Sequence, residues 1–430
     1  MAKAKKQRNI IAYVSRVTPE VVADVRAWEK ETGEKYRIML IENSARQLSK
    51  KQKGAGLEGV DIVLSVDFDS DTALQEALAP YQDQLCAITS RVESYVADFI
   101  KIIPFVPYLA TPTPESLKWA SDKRLMRRHF RVADASITPK YTLVKDASEA
   151  ELDRVVGRVG LPLILKPTNL AQSLLVNVCH HQDELRKAAK EIFKEIEKVY
   201  AENGRTERPR VIAEQYMEGL QYSIDAYVSA RGKVTCCPLV RQKTGHDIGR
   251  DDFFGYLQST PTALSSTTVK KAEDVVKRGV HALGLRNTTV HVELMRIDDV
   301  WKIIEIGARI GGFRPQLHRL SCGINHGMND VLVRMGRQPV VPRRCRRFSA
   351  AMKYYAKEEG EIVSILGLKK IEKLASFHKI EMRKKRGDQS VFAKNGGGAI
   401  FVLYLVNDSR SELLADIRRV EETVSVEVAV

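Results

Sequence analysis

The stretch HVELMRIDDVWKIIEIGARIGG, residues 291–312, decides the fold. Its apolar positions predict two strands, in TTVHVELMRI and WKIIEIGAR, joined by a tight turn at Asp299. Such a hairpin sets Glu293 and Glu305 almost opposite one another. Two carboxylates on one buried face repel each other unless a cation lies between them, and their oxygens suit Mg²⁺ that also binds phosphate. The pattern alone leaves open an outward, solvated pair.

Three positive side chains from different parts of the chain could serve this site. Arg309 lies beside the flexible pair Gly311–Gly312, which would let its guanidinium approach anionic groups near the metal. Lys166 ends the strand-like run LPLILKP, and Lys123 follows the helix cap Asp122, so each could reach phosphate oxygens. For each lysine taken alone, a solvated surface position is the ordinary alternative.

Short apolar runs alternate with amphipathic helical patterns at the start of the chain, from IIAYV through PEVVADVRAWEKE and YRIMLIE to LCAITS. This alternation predicts a parallel sheet in a Rossmann-like domain over residues 1–115. The first strand runs into Ser15 without a Gly-x-Gly turn, so the domain is not expected to hold NAD. Two prolines in LATPTPESLKWASDK mark the boundary.

Residues 116–342 predict an α+β domain with two parts. A lid subdomain is predicted at about 138–220. It is made of the strands LPLILKP and SLLVNVC, the long helix HQDELRKAAKEIFKEIEKVYAEN and the strand RVIAEQYM. A catalytic subdomain is predicted at about 221–342. It is made of a hairpin of QYSIDAYV with KVTCCPLV, the capped helix SSTTVKKAEDVVKRGVHALGL and the second hairpin. Residues 343–430 predict a small C-terminal α+β domain.

The formal net charge of +15 fits nucleic-acid binding or an enzyme that handles ATP. The basic clusters at 343–347 and 383–386 contain no aromatic residue that could stack on bases, so a solvated basic surface is favoured. No apolar run approaches the length of a membrane span. The six cysteines are spaced neither for zinc nor for a disulfide framework, so a protein of the reducing cytoplasm is expected.

Four motifs over roughly residues 116–315 occur in the order typical of one family. They are SDKRLMRRHF, LPLILKPTNLAQSLLV, VIAEQYMEGLQYSID, and HVELM followed by IIEIGARIGG. Through them the chain resembles the ATP-grasp superfamily. The resemblance implies an ATP-grasp fold, in which ATP is gripped between two α+β subdomains, with a Rossmann-like N-terminal domain before them and a small C-terminal α+β domain after them.

The resemblance also implies a role for each site residue. Lys123 and Lys166 would contact the ATP phosphates, with Ser173 in the loop above them. Glu293 and Glu305 would hold Mg²⁺ or Mn²⁺, and Arg309 would stabilise the transferred phosphoryl group and the acyl phosphate. A segment beside adenine and one residue at the ribose would complete the nucleotide site: Glu214, Gln215, Tyr216, Met217 and Gln221.

Three positions depart from the family pattern. The loop before Ser173 lacks the glycines that many members carry, and Gln221 takes the place of the usual ribose-binding Glu. Gly307 stands where an Asn two residues after the second metal-binding Glu often completes the coordination. A stiffer loop and weaker metal binding would follow.

Within the superfamily, the motifs HVELM and GARIGG together with the C-terminal domain look most like carboxylate-amine ligases, including amino-acid ligases. Such an enzyme activates a carboxylate as an acyl phosphate and joins it to an amine. Two alternatives stay open: a carboxylase-type enzyme of purine-like metabolism with the same ATP site, and a nucleotide-binding protein without turnover that acts as a regulator or binds nucleic acid.

The segment RQKTGHDIGRDDFFGYLQSTP, residues 241–261, is the candidate for substrate contact, because loops held by sheets often carry specificity. A disordered polar excursion is the alternative. The expected partners are a small-molecule carboxylate and an amine, with no membrane contact, nucleic acid disfavoured and a homodimer left open. The substrate-contact residues predicted in this segment are its basic ones: Arg241, Lys243, His246 and Arg250.

Overall fold

The computed structural model describes residues 8–45, 57–170, 174–202, 207–250, 254–393 and 397–429. In these ranges the strands are β1 (Ile10–Val14), β2 (Arg37–Asn43), β3 (Ile62–Val66), β4 (Leu85–Thr89), β5 (Tyr141–Val144), β6 (Leu163–Pro167), β7 (Asn177–Cys179), β8 (Val211–Gln215), β9 (Leu220–Val228), β10 (Val234–Cys236), β11 (Val240–Thr244), β12 (Gly255–Thr260), β13 (Thr288–Ile297), β14 (Val300–Gly307), β15 (Phe348–Tyr354), β16 (Gly360–Leu366), β17 (Phe377–Met382), β18 (Gln389–Ser390), β19 (Phe401–Asn407) and β20 (Ser425–Ala429). The α-helices are Pro19–Thr32, Asp71–Leu78, Val96–Ile102, Pro114–Ser121, Lys123–Asp134, Glu149–Val159, Gln182–Glu202, Ser266–Ala282, Arg314–Cys322, His326–Arg334, Leu368–Ile371 and Arg410–Thr423.

Strands β1 to β4 form a parallel sheet in the order β3-β2-β1-β4. All five residues of β1 are buried, as expected for an inner strand of a parallel sheet that is covered on both faces. The helices Pro19–Thr32 and Asp71–Leu78 follow β1 and β3. The strand-helix alternation predicted for this part of the chain is therefore confirmed.

A second, antiparallel sheet has the order β5-β8-β6-β7 and carries two helices, Glu149–Val159 and Gln182–Glu202. The longer helix is amphipathic, since its buried Leu185, Ala189, Ile192 and Ile196 recur at helical spacing. These residues pack with Leu163 and Leu165 of β6 in one apolar cluster. The predicted strands, long helix and returning strand are all present in this small unit.

A nine-stranded sheet forms the centre of the molecule, in the order β14-β13-β9-β11-β12-β15-β19-β17 with β10 also paired to β9. Strands β13 and β14 form the predicted hairpin, and β9 with β10 forms the other one. Strands β15, β17 and β19 come from beyond residue 343 and extend this sheet, whereas β16, β18 and β20 form a separate three-stranded sheet in the order β18-β16-β20. The domain boundaries drawn from the sequence stay predictions.

The helix Lys123–Asp134 packs under the central hairpin. It begins where predicted, because the side chain of Asp122 accepts hydrogen bonds from the main-chain nitrogens of Arg124 at 2.8 Å and Leu125 at 3.1 Å. Its buried Phe130 belongs to the same apolar cluster as Ile303 of β14. This packing fixes the first residues of the helix beside the end of the hairpin.

Cys322 and Cys345 form a disulfide, with Cα atoms 4.1 Å apart. The expectation of no disulfide was therefore wrong for this pair. The helix Arg314–Cys322 ends beside the segment that leads into β15, a tertiary contact that sequence spacing does not reveal. The cysteine pattern consequently gives no support for a reducing compartment. As for membranes, none of the helices in the described ranges is both long and apolar enough to span a bilayer.

Asp330, in the helix His326–Arg334, ties the parallel sheet to the central sheet. Its carboxylate accepts hydrogen bonds from the hydroxyls of Thr89 on β4 at 2.6 Å and Thr289 on β13 at 2.7 Å, and it pairs with Arg334 at 3.3 Å. All four residues are buried. Burial raises the pKa of Asp330, but Arg334 and the two hydroxyls outweigh burial and hold the pKa below its usual value.

Replacing Asp330 by Ala should lower the free energy of unfolding by about 3–5 kcal/mol, because it leaves the buried Arg334 without its counter-charge. Urea denaturation at pH 7 measures the loss. Asp408→Ala is the matched control, since Asp408 pairs with Arg347 on the surface with a side chain 82% exposed, and its loss should stay below about 1 kcal/mol. Equal losses in the two variants would contradict the assigned role of Asp330.

Candidate active site

A cleft of about 720 Å³ lies between the four-stranded antiparallel sheet and the central sheet. One wall is formed by β6 and β8, the floor by the central sheet, and the far side by the C-terminal region. The cleft is large enough for a nucleotide together with a small substrate. It brings together most of the site residues predicted from the sequence: Lys123, Lys166, Glu214, Gln215, Tyr216, Met217, Gln221, His246, Glu293, Glu305 and Arg309.

Glu293 on β13 and Glu305 on β14 are direct partners in the antiparallel register, as the hairpin predicts. Direct partners point to the same face of a sheet, and both side chains line the cleft. The register shifts just after Glu293, and such a β-bulge turns a side chain relative to its neighbours. The two side chains are 34% and 31% exposed, so they are partly accessible within the cleft, and their role as metal ligands stays a prediction.

A buried hydrogen-bonded chain supports Glu293 from below. Asp225 accepts the main-chain N–H of Gly311 at 2.8 Å and lies 2.6 Å from Nδ1 of His291, whose Nε2 is 3.5 Å from Glu293. Burial raises the pKa of Glu293, but His291 and two nearby arginines outweigh burial and lower the pKa to about 2. Glu293 is therefore ionised at neutral pH.

The donor atoms at this point of the cleft fit a hard divalent cation. Two carboxylates face one way from a rigid hairpin, and the side-chain amide of Gln221 lies 3.4 Å from Glu293. Oxygen donors of this kind are the ligands that Mg²⁺ prefers in proteins. Opposite them, Nζ of Lys123 lies 3.1 Å from Glu305 and supplies one compensating positive charge.

The two predicted phosphate-binding lysines both point into the cleft. Nζ of Lys166 lies 2.7 Å from Glu214, and Nζ of Lys123 also donates to the carbonyl of Leu170 at 3.1 Å. Burial lowers the pKa of Lys166, with Glu214 opposing that shift. For Lys123, burial is outweighed by Glu305 and other carboxylates, so its pKa is raised. Each ammonium is thus held by a carboxylate of this chain.

Arg127 is a residue that the sequence analysis missed. Its guanidinium binds both oxygens of Glu214, at 2.8 and 3.0 Å, and donates to the carbonyls of Ile303 at 3.1 Å and Ile304 at 2.6 Å. Its relative exposure is 0%. One signal was available, because Arg127 stands on the apolar face of its helix, next to the buried Met126, where a charged residue needs a partner.

Arg309 lies at the edge of the cleft and pairs with Glu93, at 2.9 Å between Nε and the carboxylate. Burial lowers the pKa of Arg309, but Glu93, Glu305 and Glu293 outweigh burial and raise it. Glu93 follows β4 and comes from the parallel-sheet region. A Cβ atom on Gly307 would lie 3.1 Å from the Glu93 carboxylate, so the missing side chain at 307 leaves room for this contact.

The segment predicted to lie beside adenine runs from the end of β8 along the rim of the cleft. The main-chain nitrogen of Tyr216 donates to the carbonyl of Pro162 at 3.1 Å, which fixes the segment to the adjacent strand. Met217 is buried, whereas Gln215 is exposed at the rim. Glu214 is committed to Arg127 and Lys166, so its contribution is to hold the wall of the cleft. Contact of the other three residues with a nucleotide stays a prediction.

The predicted substrate residues are only partly gathered at the cleft. His246 lines it, while Lys243 is exposed elsewhere. Arg241 donates to the carbonyl of Gln221 at 2.6 Å, and Arg250 donates to that of Ala356 at 2.7 Å, so both brace the main chain. Ser173 lies outside the described residues. The assignment of substrate contacts to these side chains stays a prediction.

The C-terminal region supplies cleft residues that the sequence analysis did not select. Lys353 on β15, Arg383 just after β17 and Val402 on β19 all line the cavity. Their nearness follows from the extension of the central sheet by these strands, which no local pattern indicates. Phe313 and Gln258 line the cavity from the central region beside them.

Comparison with known proteins agrees with this geometry. Residues 159–316 match the family model of the ATP-grasp domain. The uncharacterized protein y4rH of Sinorhizobium fredii is 24% identical over 347 residues, covering 79% of this chain and 68% of that protein. The D-alanine–D-alanine ligase of Acinetobacter baylyi is 25% identical over 42% of this chain and 53% of that protein. The alanine–anticapsin ligase of Bacillus subtilis is 26% identical over 53% of this chain and 49% of that protein.

The match thus spans about half the length of the named ligases. Among solved structures, an L-amino acid ligase from Bacillus licheniformis superimposes with a TM-score of 0.74 at 17% identity, over 99% of this chain and 100% of that one. An N5-carboxyaminoimidazole ribonucleotide synthetase from Thermotoga maritima gives a TM-score of 0.68 at 13% identity, over 98% of this chain and 100% of that one. The class defined by fold and cleft is therefore a mixed α/β protein of the ATP-grasp fold. Residues 159–316 of this chain match an ATP-grasp domain, and the named curated relatives are ligases.

The cluster of Glu214, Arg127 and Lys166 generates a stability prediction. Burial raises the pKa of Glu214, but Arg127 and Lys166 outweigh burial and lower it to about 2, from 4.5. Glu214→Gln should lower the free energy of unfolding at pH 7 by about 3–5 kcal/mol. The contribution of the carboxylate is complete above about pH 4.5 and is lost as the pH falls towards 2, so the difference between wild type and variant should shrink by pH 3.

Urea denaturation at pH 7, 4 and 3, without nucleotide, measures this difference. Glu218→Gln is the matched control, because Glu218 is exposed four residues further on and its loss should stay within about 0.5 kcal/mol. A Glu214→Gln variant that is as stable as wild type at pH 7 would show that Glu214 has no structural role.

Proposed function

We propose that this protein is an ATP-dependent carboxylate-amine ligase that forms an amide or peptide bond through an acyl-phosphate intermediate. One observation carries the proposal: two carboxylates paired across a hairpin share a single cleft with Lys123, Lys166 and Arg309. A site for the triphosphate and its metal requires this combination of oxygen ligands and cations. The ligase names of the curated relatives also support it.

The reaction proceeds in two displacements. A carboxylate oxygen of the acid substrate attacks the γ-phosphorus of ATP, and ADP leaves with the electron pair of the broken P–O bond. The amine of the second substrate then attacks the acyl carbon of the acyl phosphate. Inorganic phosphate leaves, and the proton lost by the amine passes to solvent or to a phosphate oxygen. The protein supplies position and charge but forms no covalent bond.

The positively charged side chains that would contact phosphate are held in place by carboxylates before any substrate binds. Lys123 and Lys166 lie against Glu305 and Glu214 and can turn towards phosphate oxygens without entering the cleft from solvent. Arg309, held by Glu93, presents a planar guanidinium beside the carboxylate pair, where the migrating phosphoryl group develops charge. Preorganised charges of this kind need little reorganisation during the reaction.

Glu293 and Glu305 would hold Mg²⁺ or Mn²⁺, with Gln221 beside them. When bound, the metal neutralises the triphosphate and polarises the bond that breaks. His291 orients Glu293 from behind and, together with the charges around it, keeps it ionised. The carboxylate pair is thus prepared for a cation before nucleotide arrives.

A carboxylase-type reaction is the second candidate, because synthetases that carboxylate a purine precursor share the fold at similar TM-scores. A screen for phosphate release separates the two. Phosphate release is measured with pairs of amino acids in one set of reactions and with bicarbonate plus an aminoimidazole ribonucleotide in another. Both sets contain ATP and Mg²⁺. Release that requires both an acid and an amine, with a coupled product found by mass spectrometry, supports the ligase. Release only with bicarbonate would assign the chain to the second class.

Arg309→Ala should lower kcat by about 10³-fold or more while the affinity for ATP changes little, because the guanidinium acts mainly on the transition state. Arg309→Lys should recover little activity, since an ammonium lacks the planar fork that contacts two oxygens at once. Steady-state kinetics at saturating ATP and metal measure both. Arg128→Ala, on the exposed face of its helix, is the matched control. Near-normal turnover of Arg309→Ala would remove Arg309 from the catalytic site.

Binding of ATP should depend on a divalent cation, because two ionised carboxylates repel the triphosphate in its absence. Calorimetric titration with and without Mg²⁺ should show ATP affinity at least about tenfold lower without the metal. Glu305→Gln should remove turnover with a smaller effect on thermal stability, since it removes a ligand without leaving a cavity. Glu361→Gln, on the exposed face of β16, is the control. Equal ATP affinity with and without metal would overturn the metal assignment.

A further inference from the structure

The floor of the cleft continues well beyond the carboxylate pair. Following the sheet order from β13 through β9, β11 and β12 to β15, the cleft is lined by Glu293, Gln221, Gln242, Gln258 and Lys353. Three uncharged amides therefore separate the proposed metal-binding end of the floor from a positively charged end. A substrate lying along this floor would meet cations at the end remote from the proposed metal.

Lys353 is the central feature of that positive end. Gln258 pairs directly with Ala351, and Lys353 lies two residues further along β15, so the two side chains share a face of the sheet. Among the residues that the structure describes, Lys353 has no carboxylate within ion-pair distance, in contrast to Lys123 and Lys166. Its ammonium lies 5.3 Å from the ring centroid of Phe313, a contact that compensates only part of the lost hydration.

The charges around Lys353 are also unbalanced. Burial lowers its pKa, and the positive charges of Arg383 and Arg314 lower it further, while Glu293 opposes them. Arg383 lines the same cavity from the end of β17. Arg314 is buried against the hydroxyl of Ser223, at 2.6 and 3.1 Å, and the side chain of Gln258. Of these three cations, Arg383 pairs with Glu381 at 3.6 Å, whereas Lys353 and Arg314 have no carboxylate within ion-pair distance among the described residues.

Gln242 provides a second, independent indication of a ligand. It is 4% exposed, lines the cavity and is the register partner of Gln258. Its side-chain nitrogen has no hydrogen-bond partner within the described part of the chain. A buried donor left without an acceptor costs about 1–3 kcal/mol, and an oxygen of a bound ligand removes that cost.

We propose that Lys353, Gln242 and Arg383 form a subsite for a carboxylate of a substrate, other than the carboxylate that is activated. The inference rests on the proposed ligase function and adds a substrate class to it: one of the two substrates is an amino acid, or a dicarboxylic acid, whose second carboxylate is bound but does not react. An ammonium, an amide N–H and a guanidinium together match the acceptor oxygens of a carboxylate.

Binding measurements test the subsite directly. L-alanine, L-glutamate, L-lysine and glutarate, each beside its carboxamide, are titrated by calorimetry into wild-type protein with Mg²⁺ and a non-hydrolysable ATP analogue. At least one acid should bind 10- to 100-fold more tightly than its amide, the range for hydrogen bonds to charged groups. Lys353→Met should reduce the affinity for that acid to about the level of the amide and leave the affinity for the amide unchanged.

Two variants complete the test. Lys357→Met is the matched control, because Lys357 is exposed close by on the same segment, and it should leave the preference for the acid intact. Lys353→Arg, which keeps the charge, should retain part of the preference. Thermal melts confirm that each variant is folded. The experiment measures binding, so its outcome does not depend on turnover. A ligase that lacks this subsite would therefore give a different result from a protein that has the subsite but no turnover.

The proposal is overturned if no acid of the panel binds more tightly than its amide, or if Lys353→Met keeps the preference of the wild type. It is also overturned if Lys353→Met weakens the ATP analogue tenfold or more without changing the preference for the acid, because Lys353 would then bind phosphate. Loss of the acid preference in Lys353→Met, with nucleotide affinity and melting temperature unchanged, supports it.

Discussion

The architecture of the cleft depends on one buried guanidinium. Arg127 binds both oxygens of Glu214 on β8 and two successive carbonyls of β14, and through them it joins the small antiparallel sheet to the central hairpin. A buried arginine needs every donor satisfied, since an unpaired charge away from water is strongly unfavourable. The two walls of the cleft can therefore separate only by breaking this contact. The wall that carries Lys166 is held at a defined distance from the strand that carries Glu305.

The same pairing of charges explains how a cleft with so many ionised groups is stable before it binds anything. Lys166 is neutralised by Glu214, Lys123 by Glu305, and Arg309 by Glu93. Each cation that would meet phosphate is held by a carboxylate. Two of those carboxylates lie where a bound triphosphate and its metal would change the local balance of positive and negative charge. Binding then exchanges one set of ion pairs for another, so the charged groups need no new desolvation.

The central hairpin could be predicted from the sequence because its evidence is local. Alternating apolar residues and a turn at Asp299 place Glu293 opposite Glu305, and the structure has that register. The wider fold and the helix cap at Asp122 follow from equally local patterns. Arg127 and Glu93 could not be predicted in their roles, because their partners are 87 and 216 residues away in sequence. Nor does any pattern indicate that β15, β17 and β19 extend the central sheet and bring Lys353 into the cleft.

That extension gives the cleft its asymmetry. At the end near β14, lysines and carboxylates alternate, so a metal and a triphosphate bound there as proposed would exchange partners with them. At the end near β15, Lys353 and Arg314 have no carboxylate within ion-pair distance among the described residues, whereas Arg383 pairs with Glu381 at 3.6 Å. The floor between the two ends is lined by amides. Like charges close together in a partly buried site raise the free energy of the empty cleft and favour an anion there. Part of the basic excess of the chain therefore lines the inside of the cleft and does not belong to a solvated outer surface.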